Sequence, residues 1–281
     1  MPTFDTPSPL TVTVDLVVGH ARLTATERTD TVVEVRPSNT AAEADVRAAE
    51  QTRVEYADGH LLVRAPRSRG LGLFNKSGSV DVVIALPSGA ALTATGSAAT
   101  FHGTGVFGSC RLRSGAGDIQ LDTSADLDLH TAAGDVLVER VAGDARISTG
   151  SGDVRLGDVT GDAVVKNSNG DSRLGAVDGE VRVTSANGDI TVDRAAGAVT
   201  ATTSNGDVRI GQVARSTVSV RTARGGIDVG VSTGVPALLD LHTGHGTVDN
   251  QLEACDQPEQ PGQAVHLTAR TSYGDIVVRR R

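Results

Sequence analysis

Residues 169–189 read NGDSRLGAVDGEVRVTSANGD, so the same Asn-Gly-Asp triplet returns after 18 residues. Its Gly-Asp pair recurs at Gly117-Asp118, Gly134-Asp135, Gly152-Asp153, Gly170-Asp171, Gly188-Asp189 and Gly206-Asp207, spaced by 17 residues and then by 18 four times over. A second glycine follows nine residues later at Gly143, Gly161, Gly179 and Gly197. A strict internal period of this length marks a repeat architecture, whose units bury their apolar faces against one another.

Counted from each Gly as zero, the apolar positions are regular. Position two holds Ile119, Val136, Val154, Ile190 and Val208, with Ser172 the exception, and position four holds Leu121, Val138, Leu156, Leu174, Val192 and Ile210. Position seven carries Val141, Val159, Val177, Ala195 and Val213. Positions eleven and thirteen carry Ala145/Ile147, Ala163/Val165, Val181/Val183 and Val199/Ala201, while position fifteen is small and polar at Thr149, Asn167, Ser185 and Thr203. Residues of equal parity share one face of a strand. Parity breaks between four and seven, between seven and eleven, and between fifteen and the next unit's two. Each unit therefore bends three times, with glycine on the second and third bends, and describes one lap of a three-sided coil.

The predicted fold is all-β: a parallel β-solenoid with laps of about 18 residues and irregular capping ends. Asn-Gly also favours two-residue hairpins, so an antiparallel meander or sandwich is the competing fold. The solenoid is preferred because like residues return at fixed phase, placing each Val on a Val and each Asn beside an Asn.

The regular laps occupy 114–226. Residues 1–113 form an N-terminal β region that caps and leads into them, and 227–281 hold irregular C-terminal rungs with a polar loop at 256–263, all in one continuous domain. In the N-terminal region Thr11–Val14, Ala21–Thr26 and Thr31–Arg36 read as strands. Thr40 and Glu43 read as a capping box before a short helix at 41–51. Arg53–Tyr56 and Leu61–Val63 form a hairpin around Asp58-Gly59. Val80–Leu86 and Ala91–Arg113 are further strands. The closing Thr271-Ser272-Tyr273-Gly274-Asp275 repeats the Thr-Ser-x-Gly-Asp signature of Thr203–Asp207, so this segment is expected to rejoin the solenoid as its last strand.

Composition agrees with a thin, layered interior: 33 Gly, four Phe, two Tyr and no Trp leave few large aromatic anchors for a compact core. A net charge of −8 argues against nucleic-acid binding. The opening MPTFDTPSPL lacks the basic and apolar regions of a secretory signal, and no apolar run approaches the ~20 residues that cross a bilayer, so a cytoplasmic location is expected. Cys110 and Cys255 make neither a disulfide framework nor a metal site and read as buried thiols.

Chemistry is sparse. GLGLFNKS at 70–77 departs from the phosphate-cradling G-x-x-x-x-G-K-[ST] pattern, because Asn75 stands where the second glycine must be. The surrounding stretch reads as a basic, partly apolar loop carrying Arg67, Arg69, Leu71, Leu73, Phe74 and Lys76, of a kind that can also dock a partner or an anionic membrane surface. Gly230-Val231-Ser232-Thr233-Gly234 matches the nucleophile-elbow pattern but lacks its strand-to-helix setting. His242 and His245 lie close in sequence without a completing Cys or carboxylate. The row Asp118, Asp135, Asp153, Asp171, Asp189 and Asp207 is the sharper candidate, a ladder that a cation such as Ca²⁺ would stabilise. Neighbouring carboxylates at rung spacing repel by about 1 kcal/mol in water. The calcium-binding β-rolls use G-G-x-G-x-D, which this chain lacks, and Asx-type bonding to local amides accounts for the row without an ion.

The opening Pro2-Thr3-Phe4-Asp5-Thr6-Pro7, the stretch Ala49–Tyr56, Lys166–Asp171 and the closing Thr271–Ile276 together carry a family resemblance. The chain resembles bacterial, especially actinobacterial, β-strand-repeat proteins of unknown function labelled "putative adhesin". The resemblance covers nearly the whole chain. It implies a right-handed, single-stranded parallel β-helix and no catalytic residues to carry over. The expected function is a non-catalytic scaffold or protein-interaction module without cofactor, with an unidentified protein partner or self-association through solenoid ends or faces. The alternatives are an adhesin-like or carbohydrate-binding surface and a Ca²⁺-stabilised β-roll-like protein.

Overall fold

The computed structural model describes residues 2–7, 10–67, 78–214, 216–253 and 264–281. Its strands pair in parallel from lap to lap, and the chain is an all-β solenoid. It divides into two compact units, Met1–Val138 and Glu139–Arg281.

In the second unit each lap contributes two strands. The first of one lap is Val154–Val159, and its parallel neighbours in later laps are Ser172–Val177, Ile190–Ala195, Val208–Val213 and Ile227–Val231. The other column runs through Ala145–Ser151, Ala163–Asn169, Val181–Asn187, Val199–Asn205 and Thr217–Arg224. Like residues stand in vertical register, as in Val165↔Val183 and Asn169↔Asn187. The inward residues predicted at positions two, four, seven, eleven and thirteen are buried throughout. The break of parity between positions four and seven lies inside one strand: Leu156 and Val159 are both buried although three residues apart. The lap therefore turns within that strand, and its pairing with the next lap skips Gly157 and Asp158 before resuming at Val159.

Position fifteen is an internal polar column that holds the corners. The Asn167 amide donates to the carbonyls of Gly152 and Gly170 at 3.1 and 2.9 Å, and the hydroxyls of Thr203 and Thr222 donate to Gly188 and Gly206. Pairing buried corner carbonyls in this way avoids the cost of an unmet acceptor. Ser172, the exception at position two, is fully buried and its hydroxyl has no hydrogen-bond partner.

The end of this unit departs from sequence order. Val265–Tyr273 pairs with Thr217–Arg224 on one side and with Ala237–His245 on the other. Ile276–Arg280 likewise lies between Ile227–Val231 and Val248–Asn250. The expectation of a last strand is thus corrected: the closing segment rejoins the solenoid as its next-to-outermost lap, and the earlier residues 237–250 lie outside it. Val265, Leu267, Ala269, Ile276 and Val278 are buried between their neighbours, whereas Leu239 and Leu241, opposite Leu267 and Ala269 on the outer strand, are half-buried.

The first unit is also out of order. Thr11–Thr26 is one strand rather than two, with Ala91–Val106 on one side and His60–Arg64 and Ser79–Pro87 on the other. Its inward face changes after Leu16, the bend that the sequence reading took as a gap. Cys110–Ala116 and Leu127–Ala133 continue the stack in parallel. The opposite end is closed by antiparallel strands, Asp30–Pro37 on Ser79–Pro87 and Arg53–Ala57 on His60–Arg64, with Thr3–Asp5 against Asp30–Pro37. Covering a sheet edge in this way discourages pairing with other chains. The hairpin forms around Asp58-Gly59 as expected, with φ of 49° at Asp58. The helix spans Glu43–Gln51 and the Thr40–Glu43 capping box is absent; its N-cap is Ala42, and Asn39 Oδ1 instead accepts the Ala41 N–H in an Asx turn.

Candidate functional site

The aspartate row lies on the corners, and Asp118, Asp153, Asp171, Asp189 and Asp207 reach toward the next lap. In the first unit Asp118 Oδ1 accepts the backbone N–H of Asp135 at 2.9 Å. In the second, Asp153, Asp171 and Asp189 accept the amides of Asp171, Asp189 and Asp207 at 2.8 to 3.0 Å. Asp207 accepts the amide of Gly226, and Asp275 accepts both the amide and the hydroxyl of Thr247. These bonds from the Thr247 amide and then its hydroxyl hold the Asp275 carboxyl below the usual carboxylate range. The arrangement staples one lap to the next through charge-assisted hydrogen bonds.

A second acidic ladder escaped the sequence reading. Asp144 Oδ1 accepts the Asp162 amide at 3.0 Å, and Asp162 Oδ1 accepts the Glu180 amide at 2.8 Å. The signal was present in the acid that follows each second glycine, at Gly143-Asp144, Gly161-Asp162 and Gly179-Glu180. On the surface Asn169, Asn187 and Asn205 add an amide ladder: Asn187 and Asn205 each donate Nδ2 to the preceding Asn Oδ1 at 2.9 Å, and Asn169 donates to the Gly150 carbonyl at 3.3 Å.

The first ladder has one gap. Gly226 occupies an aspartate position and offers no carboxylate to the lap of Asp275. A Cβ added there would lie 3.5 Å from Asp275 O and 3.8 Å from Asp207 Oδ1, ordinary contact distances. Gly226→Asp is expected to stabilise the fold by about 1 kcal/mol, through one more staple and a less flexible unfolded chain. Urea denaturation checks this, with a raised midpoint at unchanged slope; a lowered midpoint would show that repulsion among the carboxylates outweighs the staple.

The remaining sequence candidates fall apart. His242 and His245 lie on Ala237–His245, where the His245 ring stacks on Tyr273 at 4.8 Å. Ser232 donates its hydroxyl to the carbonyl of Val213. Cys110 is buried and desolvation pushes its thiol up to about 12, so it stays protonated and unreactive. Cys255 and the 70–77 stretch lie outside the described residues, as do Arg69, Leu71, Leu73, Phe74 and Lys76 of the expected docking loop. Among the described residues no group of three or more His, Cys, Asp or Glu is placed to hold a metal ion, and no helix is long and apolar enough to cross a membrane.

Arg67, the described member of that loop, leads to the most developed hollow. One register position of the first unit carries Arg53, Arg64, Asp15, Thr95, Arg113 and His130 on successive strands. Asp15 is the one charged residue that is buried among those described. Arg67 Nη2 lies 2.9 Å from its Oδ2, Arg64 Nε lies 3.4 Å away, and Thr95 Oγ1 donates to Oδ1 at 3.2 Å. Two hollows of about 570 and 670 Å³ adjoin at Asp15 and Arg67. The first runs under Arg113 and His130 over Gly96, Ser97, Gly115 and Ala132. This arrangement is electrostatic and concave, suited to holding a ligand.

The sequence model of the Toastrack DUF4097 family matches residues 22–279, spanning both units. The chain belongs to the Toastrack family. No functionally curated protein matches this Toastrack chain. Solved structures similar to it include a "putative cell adhesion protein" from Clostridium sporogenes, 11% identical, covering 100% of this chain and 98% of that one at a TM-score of 0.22. A "putative adhesin" from Bacteroides fragilis is 10% identical, covering 100% and 95% at a TM-score of 0.27. A "putative lipid binding protein" from Parabacteroides distasonis is 11% identical, covering 100% and 95% at a TM-score of 0.40. These likenesses contribute no residue or ligand to the Toastrack site described above.

Proposed function

We propose that the protein is a non-catalytic interaction module that docks an extended acidic segment of a protein partner on the flat face of its second unit. The carrying observation is one outward register position, occupied on seven successive laps by Ser148, Lys166, Thr184, Thr202, Arg221, Arg270 and His242. None is acidic, although the chain as a whole carries −8. The adjoining position adds Arg146 and Arg182 among Val164, Thr200, Ser219 and Thr268, and ends on Asp240, which pairs with Arg270 at 3.0 Å. Laps rise by about 4.8 Å, so Arg221 and Arg270 sit beside each other on neighbouring strands. Asp240 already neutralises Arg270, so Lys166 and Arg221, exposed and without a carboxylate partner among the described residues, are the cations an acidic segment would meet. Hydrogen bonds along the whole stack hold these groups in fixed register, and a prearranged surface loses little entropy on binding.

A fluorescein-labelled oligoglutamate peptide tests this by anisotropy. Binding is expected at low salt, weakening steeply as salt is added. The double substitution Lys166→Glu, Arg221→Glu should weaken it by about tenfold or more, since both groups are exposed and reverse sign without touching the core. No binding by the unaltered chain, or equal binding by the double variant, would remove the docking face.

A further inference from the structure

We propose that the hollow of the first unit between Arg67, Arg113 and His130 is a binding site for a phosphate-type oxyanion. It belongs to the first unit and does not depend on the docking face proposed for the second.

The charge balance is the starting point. Within this hollow Arg67 and Arg113 stand against the single carboxylate of Asp15, a local net charge of +1 with His130 neutral in a chain of −8, while Arg53 and Arg64 line the adjoining hollow. Asp15 is already committed to Arg67, Arg64 and Thr95. The nearest acid on the adjoining register position, Asp128, is held by Arg111 at 3.3 Å. Among the described residues Arg113 and His130 therefore have no carboxylate partner, and they stand on adjacent strands. Arg53 faces Arg64 directly across an antiparallel pair, an opposition of like charges that destabilises a sheet unless something compensates it.

Shape supplies the second argument. Gly96, Ser97, Gly115 and Ala132 line the hollow together with Leu16 and Val17. A Cβ on Gly115 would lie 2.5 Å from the carbonyl oxygen of Ser97, and one on Gly96 would lie 2.5 Å from the Ala99 Cβ. Close packing thus excludes side chains at these two positions and leaves room between Arg67, Arg113 and His130. The exposed Ser97 hydroxyl adds a neutral donor at the bottom. Guanidinium forks match the oxygen spacing of phosphate and donate in pairs, and two of them with an imidazole suit a doubly charged tetrahedral anion better than a single carboxylate. Asp15 holds Arg67 against the wall, so the fork is positioned before the ligand arrives.

The test is isothermal titration of inorganic phosphate into the full chain at constant ionic strength, with sodium chloride as the reference. Saturable binding with Kd on the order of 1 mM or tighter is expected, weakened at least about tenfold by Arg113→Gln. Arg113 is exposed, so this variant should retain its fold. Arg155→Gln, which removes an exposed guanidinium from the second unit, should leave phosphate binding unchanged. Co-sedimentation with phosphatidic-acid vesicles, but not with phosphatidylcholine vesicles, would assign the anion to a lipid headgroup; phosphate binding without sedimentation would assign it to a soluble phosphate. Heat no greater than with chloride together with no sedimentation, or equal phosphate affinity in Arg113→Gln, overturns the proposal.

Discussion

Gly188→Ala is expected to destabilise the second unit by on the order of 4 kcal/mol, a large loss for a single methyl group. Gly188 turns a corner with φ of 129°, a conformation that side chains rarely adopt. An added Cβ would lie 2.1 Å from the carbonyl oxygen of Gly170 and 2.5 Å from its carbon. Neither atom can retreat, because Gly170 belongs to a corner fixed in the same way against Gly152. Gly206 in turn stacks on Gly188 from the other side. Gly234→Ala supplies the comparison. Its φ of 77° is also left-handed, yet nothing lies within 4 Å of the added atom. That substitution should cost only about 1 kcal/mol, the backbone strain alone. Urea denaturation of both variants separates strain from collision, and equal midpoints would show that the corners do not stack as tightly as described.

Ending the chain at Asn250 should have a still larger effect, because it removes a lap with neighbours on both sides. Val265–Tyr273 and Ile276–Arg280 bury Val265, Leu267, Ala269, Ile276 and Val278. The strands Ala237–His245 and Val248–Asn250 are held to the unit through these residues. Without them residues 237–250 lose their partner, and Thr217–Arg224 and Ile227–Val231 become the new edge. Five buried aliphatic or small side chains at about 1–2 kcal/mol each make the loss several kcal/mol. Hydrogen exchange read by mass spectrometry should show residues 217–250 unprotected in the shortened chain, with protection retained at Val154–Val159. Protection persisting at 237–245 would mean that this strand moves inward to take the vacated place.

The regular laps were legible because 18-residue spacing superimposes like residues, and Ile190, Val208 and their counterparts declared their inward direction by parity alone. The order of strands at either end was not legible. Thr11–Thr26 lies between partners that all follow it in sequence and Val265–Tyr273 between partners that both precede it, and no local pattern encodes such an order. The hollow was hidden for the same reason. Asp15, Arg53, Arg64, Thr95, Arg113 and His130 have irregular spacing in sequence, since a helix and a hairpin are inserted among them, and they become a column only through pairing. The corner aspartates were visible as a row, but their bonds to the amides of the following lap depend on a rise that no single lap contains.

The inverted order of the closing strands bears on synthesis. A ribosome delivers residues 237–250 before 265–280, so the nascent chain presents its outer strand while the inner berth is still vacant. Either the early segment waits unpaired until residues 265–280 have been made, or it occupies the berth and is displaced by them. In both cases completion of this end is gated by the arrival of residues 265–280, and a chain stalled before them would expose a growing sheet edge to its neighbours.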